Sequence, residues 1–167
     1  RIQGDRKTTS IDLLIQVFVQ KYDDPGSWDI RKLHEKAIYA IGSLLRGNRM
    51  AQTHVCATEG PNQLGKMLEQ VSSERLTSTN IKLTQRLISL ASDIVLDIDM
   101  DGEVEMEQLN GVIAKSFTSP SWCNATVKLM MTDKHLPLQL QEKLLNSALI
   151  LAPYCAWKDK ATKAQAA

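Results

Sequence analysis

Apolar residues recur at helical spacing along most of the chain. In the stretch Lys36 to Leu68, KAIYAIGSLLRGNRMAQTHVCATEGPNQLGKML, the residues Ala37, Ile38, Ala40, Ile41, Leu44 and Leu45 make a wide apolar stripe that predicts a helix. Gly47 with Asn48 supplies the positive-φ residues on which such a helix ends. A second helix is predicted from roughly Met50 to Thr58, with Ala51, Val55 and Cys56 facing inward. It stops at Glu59-Gly60, and Pro61 is placed to open a third helix carrying Leu64, Met67 and Leu68. Upstream, Ser10 caps a nearly all-apolar run from Ile11 to Phe18, as expected of a buried helix. Downstream, a long helix from Ile81 to Leu96 and another around Leu109 to Phe117 flank an acidic loop.

Three short helices cannot bury their apolar faces alone, so the unit should stack on copies of itself. Aligning Lys36 with Arg86 and with Lys143 gives offsets of 50 and 57 residues (86 − 36 and 143 − 86), and the segments KAIYAIGSLL, RLISLASDIV and KLLNSALILA then superpose their apolar positions. The spacing is a little longer than the ~40 to 47 residues of common helical repeats, which fits extra loop residues in each unit. The pattern predicts an all-α protein, an armadillo-like helical repeat solenoid. It is read as one domain over residues 1–160, with an incomplete repeat at 1–33, repeats at about 34–96 and 97–157, and a C-terminal tail at 158–167.

Composition narrows the partners more than the fold. The 167 residues are 43% hydrophobic, enough for one domain with a real core. Twenty basic against nineteen acidic residues give a formal charge of +1, and no lysine-arginine cluster is interleaved with aromatics, so no nucleic acid is expected as a partner. The apolar run Ala148 to Ala152 is far short of the ~20 residues of a membrane span. Residue 1 is arginine and not methionine, so an upstream segment is expected to have been removed, cleaved or left disordered, which leaves room for an unseen signal peptide.

Candidate chemistry is sparse. His34, His54 and His135 lie in three different units without an acidic residue or cysteine at metal-ligand or triad spacing, and read as solvated surface. There is no glycine-rich phosphate loop and no nucleophile elbow. No catalytic residue, no cofactor, no small-molecule substrate and no metal site are expected; the chain does not read as an enzyme. The segment Asp97 to Gln108 nearly matches a calcium-binding loop, with acidic residues at places one, three and five and glycine at six. Its twelfth place is Gln108, one neutral oxygen where calcium needs a bidentate glutamate, so it reads as a solvated acidic loop. Cys56 reads as a small core residue. Cys123 and Cys155 sit on neighbouring helices of the last unit, which leaves a disulfide between them open without proving it. Asn124-Ala125-Thr126 is an N-glycosylation sequon squeezed between Cys123 and an apolar face.

The order of these blocks, KAIYAIGSLLRGNRMAQTHVCATEGPNQLGKML, RLISLASDIVLD, the acidic loop, SWCNATVKLMM and QEKLLNSALILAPYC, resembles the armadillo-type nucleotide exchange factors of heat-shock-70 chaperones. The resemblance covers about Ile11 to Trp157. Cytosolic members share the block Ala37, Tyr39, Ala40, Leu44, Leu45 and Arg46, whereas Trp122-Cys123 and Cys155 favour the endoplasmic-reticulum Sil/Sls type, which acts on the luminal chaperone BiP. Glu59-Gly60-Pro61 departs from the paired glycines usual in the family, the family's amino-terminal part with at least one further repeat is absent, and the terminus Ala164-Gln165-Ala166-Ala167 is not a retention signal.

The resemblance implies a co-chaperone of protein folding and translocation in the endoplasmic-reticulum lumen. Its solenoid would clasp one lobe of the ATPase domain of BiP, hold the nucleotide cleft open and speed ADP release. It further implies that contact residues lie on the polar side of the groove-lining helices. In the first copy these are Lys32, Glu35, Lys36, Tyr39, Ser43 and Arg46; in the second Lys82, Gln85, Arg86, Ser89 and Asp93; in the third Gln139, Glu142 and Asn146. Tyr39, an aromatic among charges, is the expected anchor. The alternatives from other classes are a general armadillo adaptor, which the residues Ser43, Asp93 and Ile150 in place of an asparagine ladder disfavour, and a single-loop calcium-binding protein.

Overall fold

The computed structural model describes residues 8–19, 28–100, 107–131 and 135–155. Among them the chain forms eight α-helices and no strand: α1 (Ser10–Val19), α2 (Trp28–Leu45), α3 (Arg49–Ala57), α4 (Gly60–Ser73), α5 (Ser78–Met100), α6 (Glu107–Phe117), α7 (Pro120–Met130) and α8 (Leu138–Leu151). Among the described residues no helix is long and apolar enough to cross a membrane.

The helix ends follow local chemistry that the sequence only half reveals. Helix α1 is capped by Thr9, not Ser10: the Thr9 Oγ1 accepts from the N–H of Asp12 at 3.3 Å, and Asp12 Oδ2 accepts from the N–H of Thr9 at 2.8 Å. This reciprocal pair satisfies donors that a helix start leaves open, and Ser10 is simply the first helical residue. Between α2 and α3 only Gly47 has positive φ, at 63°. Asn48 instead caps α3, its side-chain oxygen accepting from Ala51 N at 3.1 Å. Before α4 the left-handed residue is Glu59, with φ 59°, while the neighbouring Gly60 is needed for space: a Cβ there would lie 2.4 Å from Val55 Cγ2. The glycine therefore serves close packing and the glutamate carries the turn.

The helices pack in three rows. Helices α2, α5 and α8 touch in succession, α3 touches α6, and α1, α4 and α7 follow one another. Buried Ile38, Ile41 and Leu45 of α2 join Leu83, Leu87, Leu90 and Ile94 of α5 and Leu140, Leu144 and Leu151 of α8 in one core. Of the apolar stripe expected on α2, Leu44 is 38% exposed, because it lies ~100° around the helix from the buried Leu45. The α4–α7 contact is fixed by Trp122, fully buried, whose indole N–H donates to the Pro61 carbonyl at 2.9 Å. Gly65 lets it approach, since a Cβ at that position would stand 3.0 Å from the indole nitrogen. Between α5 and α8 the buried Ser92 hydroxyl donates to Ser147 Oγ at 2.6 Å, so neither hydroxyl is buried without a partner. The chain beyond α8 is tied back by a disulfide from Cys155 to Cys123 on α7, with Cα atoms 6.0 Å apart.

Candidate functional site

The row α2–α5–α8 carries the polar ridge. On α2, Lys32, Lys36, Tyr39 and Ser43 follow one another at three- and four-residue steps, and Glu35 stands one turn before Tyr39, so their side chains share a face away from the core. On α5, Lys82, Arg86, Ser89 and Asp93 do the same. Packing of α2 against α5 then sets the two polar lines side by side.

The contacts across this seam are specific. Arg86 Nη2 lies 3.0 Å from Glu35 Oε1, and Arg86 Nη1 donates to the Glu35 carbonyl at 3.2 Å. The same guanidinium stands 5.0 Å from the centroid of the Tyr39 ring, within cation–π range. Tyr39 is 64% exposed, yet its ring is held in place from one side by Arg86. Together Lys32, Glu35, Lys36, Tyr39 and Arg86 line a cavity of about 450 Å³. One turn further, Arg46 Nε meets Asp93 Oδ2 at 2.6 Å, and the Gly47 N–H donates to Asp97 Oδ2 at 3.0 Å. At the α5–α8 seam Lys143 Nζ reaches Ser89 Oγ at 3.1 Å.

The structure thus brings Lys32, Glu35, Lys36, Tyr39 and Arg86 into one cavity and joins Arg46 to Asp93. Ser43 turns back to bond the Tyr39 carbonyl at 3.1 Å. Lys82, Gln139, Glu142 and Asn146 are exposed, and Gln85 is half-buried; none of these lines the cavity. Two residues of the ridge were not anticipated. Lys143 was legible, since it aligns with Lys36 and Arg86 in the repeat comparison. Asp97 reads as part of a loop in the sequence, although its distance of 50 residues from Gly47 equals the offset of the first two copies.

Other sequence candidates fall elsewhere. His34 is not solvated but 4% exposed, its ring stacked on Phe18 at 5.0 Å between centroids and its Nε2 3.2 Å from the Val17 carbonyl. Burial depresses its pKa below the ordinary histidine value. His54 is also corrected: its Nε2 pairs with Asp12 Oδ1 at 2.9 Å. A main-chain hydrogen bond from Thr9 holds the Asp12 carboxyl below its usual range against the opposing effect of burial, with His54 adding to the lowering. Both histidines therefore fasten α1, while His135 is exposed as expected. Cys56 is half-buried on α3, and burial pushes its thiol pKa up.

The acidic segment does not begin as a loop: Asp97 to Met100 are the last turn of α5, while 101–106 lie outside the described residues. Among the described residues no group of three side chains is arranged to hold a metal ion. In the sequon, Asn124 is exposed, whereas Thr126 is buried with its hydroxyl donating to the Trp122 carbonyl at 2.9 Å.

A family model described as the SIL1/FES1/HPBP1 C-terminal domain matches residues 26–166. No solved structure matches the chain.

Proposed function

The chain belongs to the SIL1/FES1/HPBP1 C-terminal domain family, a family of heat-shock-70 nucleotide exchange factors, and from this premise we propose that it binds the ATPase domain of a luminal heat-shock-70 chaperone of the BiP type and promotes ADP release. The family is a co-chaperone family, not one of catalytic enzymes, and binds the heat-shock-70 ATPase domain. The observation that carries the proposal to this chain is the family match over 26–166, which contains all of the ridge α2–α5–α8. The three helix rows support reading the fold as an armadillo-like solenoid. The ridge α2–α5–α8 is its partner-binding face in this proposal, with Tyr39 as anchor.

Exchange needs surface and no reactive group. A partner that binds the open chaperone cleft better than the closed one must weaken nucleotide binding, by the same factor with which nucleotide weakens the partner. The endoplasmic-reticulum assignment is supported by the buried disulfide Cys123–Cys155, a bond that persists in oxidising compartments and is rare in the cytosol.

The test is release of labelled ADP from the ATPase domains of BiP and of a cytosolic heat-shock-70, each with saturating chain. Faster release from both, greater from BiP, is expected, with no ATP turnover by the chain itself. Unchanged release from both domains would overturn the exchange function; acceleration confined to the cytosolic domain would overturn the luminal assignment.

A further inference from the structure

The cavity between α2 and α5 has a chemistry that selects its occupant. Four of its five lining residues are charged, and three of these, Lys32, Lys36 and Arg86, are cations against the single carboxylate of Glu35. That carboxylate is already engaged, because Arg86 holds it at 3.0 Å and takes the Glu35 carbonyl as well. Arg86 is also the residue that sets the Tyr39 ring, its guanidinium 5.0 Å from the ring centroid. What the cavity offers a visitor is therefore the exposed ammonium of Lys36 beside an aromatic wall fixed in place. An incoming lysine or arginine would face like charge, and an apolar side chain would strip water from these groups without replacing it. A carboxylate meets opposite charge, and its methylene stem fits against the tyrosine ring.

We infer that the α2–α5 cavity receives an acidic side chain, aspartate or glutamate, from the surface of the protein partner, with Lys36 pairing the carboxylate, Tyr39 packing its stem and Arg86 positioning Tyr39. The inference rests on the proposed chaperone-binding reading and specifies how one part of that interface is recognised. Arg86 is a positioning residue here, since its guanidinium is committed to Glu35 and Tyr39. Because the Lys36 pair would sit at the edge of a solvated groove, it contributes to association and its salt dependence more than to deep burial.

The experiment titrates the heat-shock-70 ATPase domain against the parent chain, Lys36→Glu, Lys36→Arg and, as a control, Lys66→Glu, an exposed lysine on α4 that does not line the cavity. Circular dichroism melts confirm that all four are folded. Lys36→Glu is expected to weaken binding at least tenfold, Lys36→Arg and Lys66→Glu less than twofold, and a rise in salt from 50 to 300 mM to weaken the parent more than Lys36→Glu. A parent that binds while Lys36→Glu binds within twofold of it, at both salt concentrations, overturns the inference and leaves the exchange-factor reading standing. Failure of the parent to bind overturns the exchange-factor reading. The cavity is then judged with a glutamate-rich peptide followed by amide NMR: shifts centred on 32–39 and 82–89 that vanish in Lys36→Glu support it, and their absence overturns it.

Discussion

The main-chain N–H of Gly47 donates to the carboxylate of Asp97 at 3.0 Å, so the turn that ends α2 is held by the last turn of α5. Gly47 has φ 63°, and a Cβ there would meet nothing within 4 Å. The glycine is thus required by its backbone angle and not by crowding. Beside it Arg46 and Asp93 form an ion pair, but both side chains are more than two-fifths exposed, so that pair adds little on its own. The Asp97 bond, also exposed, adds a second link between the two units, to a main-chain N–H that the turn already holds in place.

Asp97→Ala is expected to lower stability by only ~0.5 kcal/mol, because it removes a charge-assisted hydrogen bond to an exposed turn N–H that can then turn to water. Asp97→Asn keeps an acceptor and should cost less. Denaturant melts of both variants measure this. Calcium is expected to leave the melting temperature of the parent unchanged, since Asp97 and Asp99 belong to a helix and Gln108 lacks the closing carboxylate. A melting temperature that rises with calcium in the parent and not in Asp97→Asn would identify an ion site there.

The fastening of α1 predicts a pH dependence with two separate windows. His34 has a folded pKa below 6.5, so the unfolded chain takes up its proton first as pH falls. Its contribution to stability is intact above pH ~6.5 and is lost as pH falls from there through the folded pKa. Asp12 also has a lowered folded pKa, and its contribution is lost only as pH falls below the ordinary aspartate value of 3.8. Melting temperatures from pH 7.5 to 5 should therefore fall in the parent and fall less in His34→Gln. Equal slopes in the two proteins would count against this role for His34.

How far the sequence carries can be judged from these same residues. Helices α2 to α5 were legible because their apolar spacing and punctuation agree: Ile38, Ile41 and Leu45 are buried, and the chain turns at Gly47 and at Glu59-Gly60. The periodicity also put Tyr39, Lys36 and Arg86 on the polar side of their helices. It did not show that Arg86 would grip both Glu35 and Tyr39, since i, i+4 spacing orders a face and not the register between two helices. The histidines were misread for a related reason. His34 and His54 find Val17, Phe18, Thr9 and Asp12 only when α1 packs on α2 and α3, a tertiary contact without a local signal. Asp97 reads as loop in the sequence because the acidic run outweighs the continuing helical pattern of α5.

Reduction should loosen the C-terminal end. The Cys123–Cys155 bond closes a separation of 32 residues, which in a chain-entropy account stabilises the fold by ~3 to 4 kcal/mol. Cys123→Ala combined with Cys155→Ala, or the parent in dithiothreitol, is expected to melt several degrees lower than the oxidised parent. Cys56→Ala, at the half-buried free cysteine, should retain the response to dithiothreitol. A double variant with unchanged melting and the same response would contradict the pairing.

Tyr39 and Ile41 lie two residues apart on α2 and should separate binding from folding. Ile41 is fully buried in the shared core of α2, α5 and α8, so Ile41→Ala loses apolar burial and leaves a cavity, at a cost of ~2 to 5 kcal/mol. Tyr39, at 64% exposure, touches Arg86 and the cavity but not the core cluster. Tyr39→Ala removes one cation–π contact, worth ~0.5 to 1 kcal/mol at an exposed site, and should leave the fold nearly intact. Its loss from an interface can still cost ~2 kcal/mol or more of binding, because a rigid aromatic at the centre of a contact region carries a disproportionate share of the affinity. Denaturant melts and titrations with the heat-shock-70 ATPase domain, made on both variants, give the comparison. Tyr39→Ala that unfolds the domain, or that binds as tightly as the parent, would mean that the partner meets a different face of the helix rows.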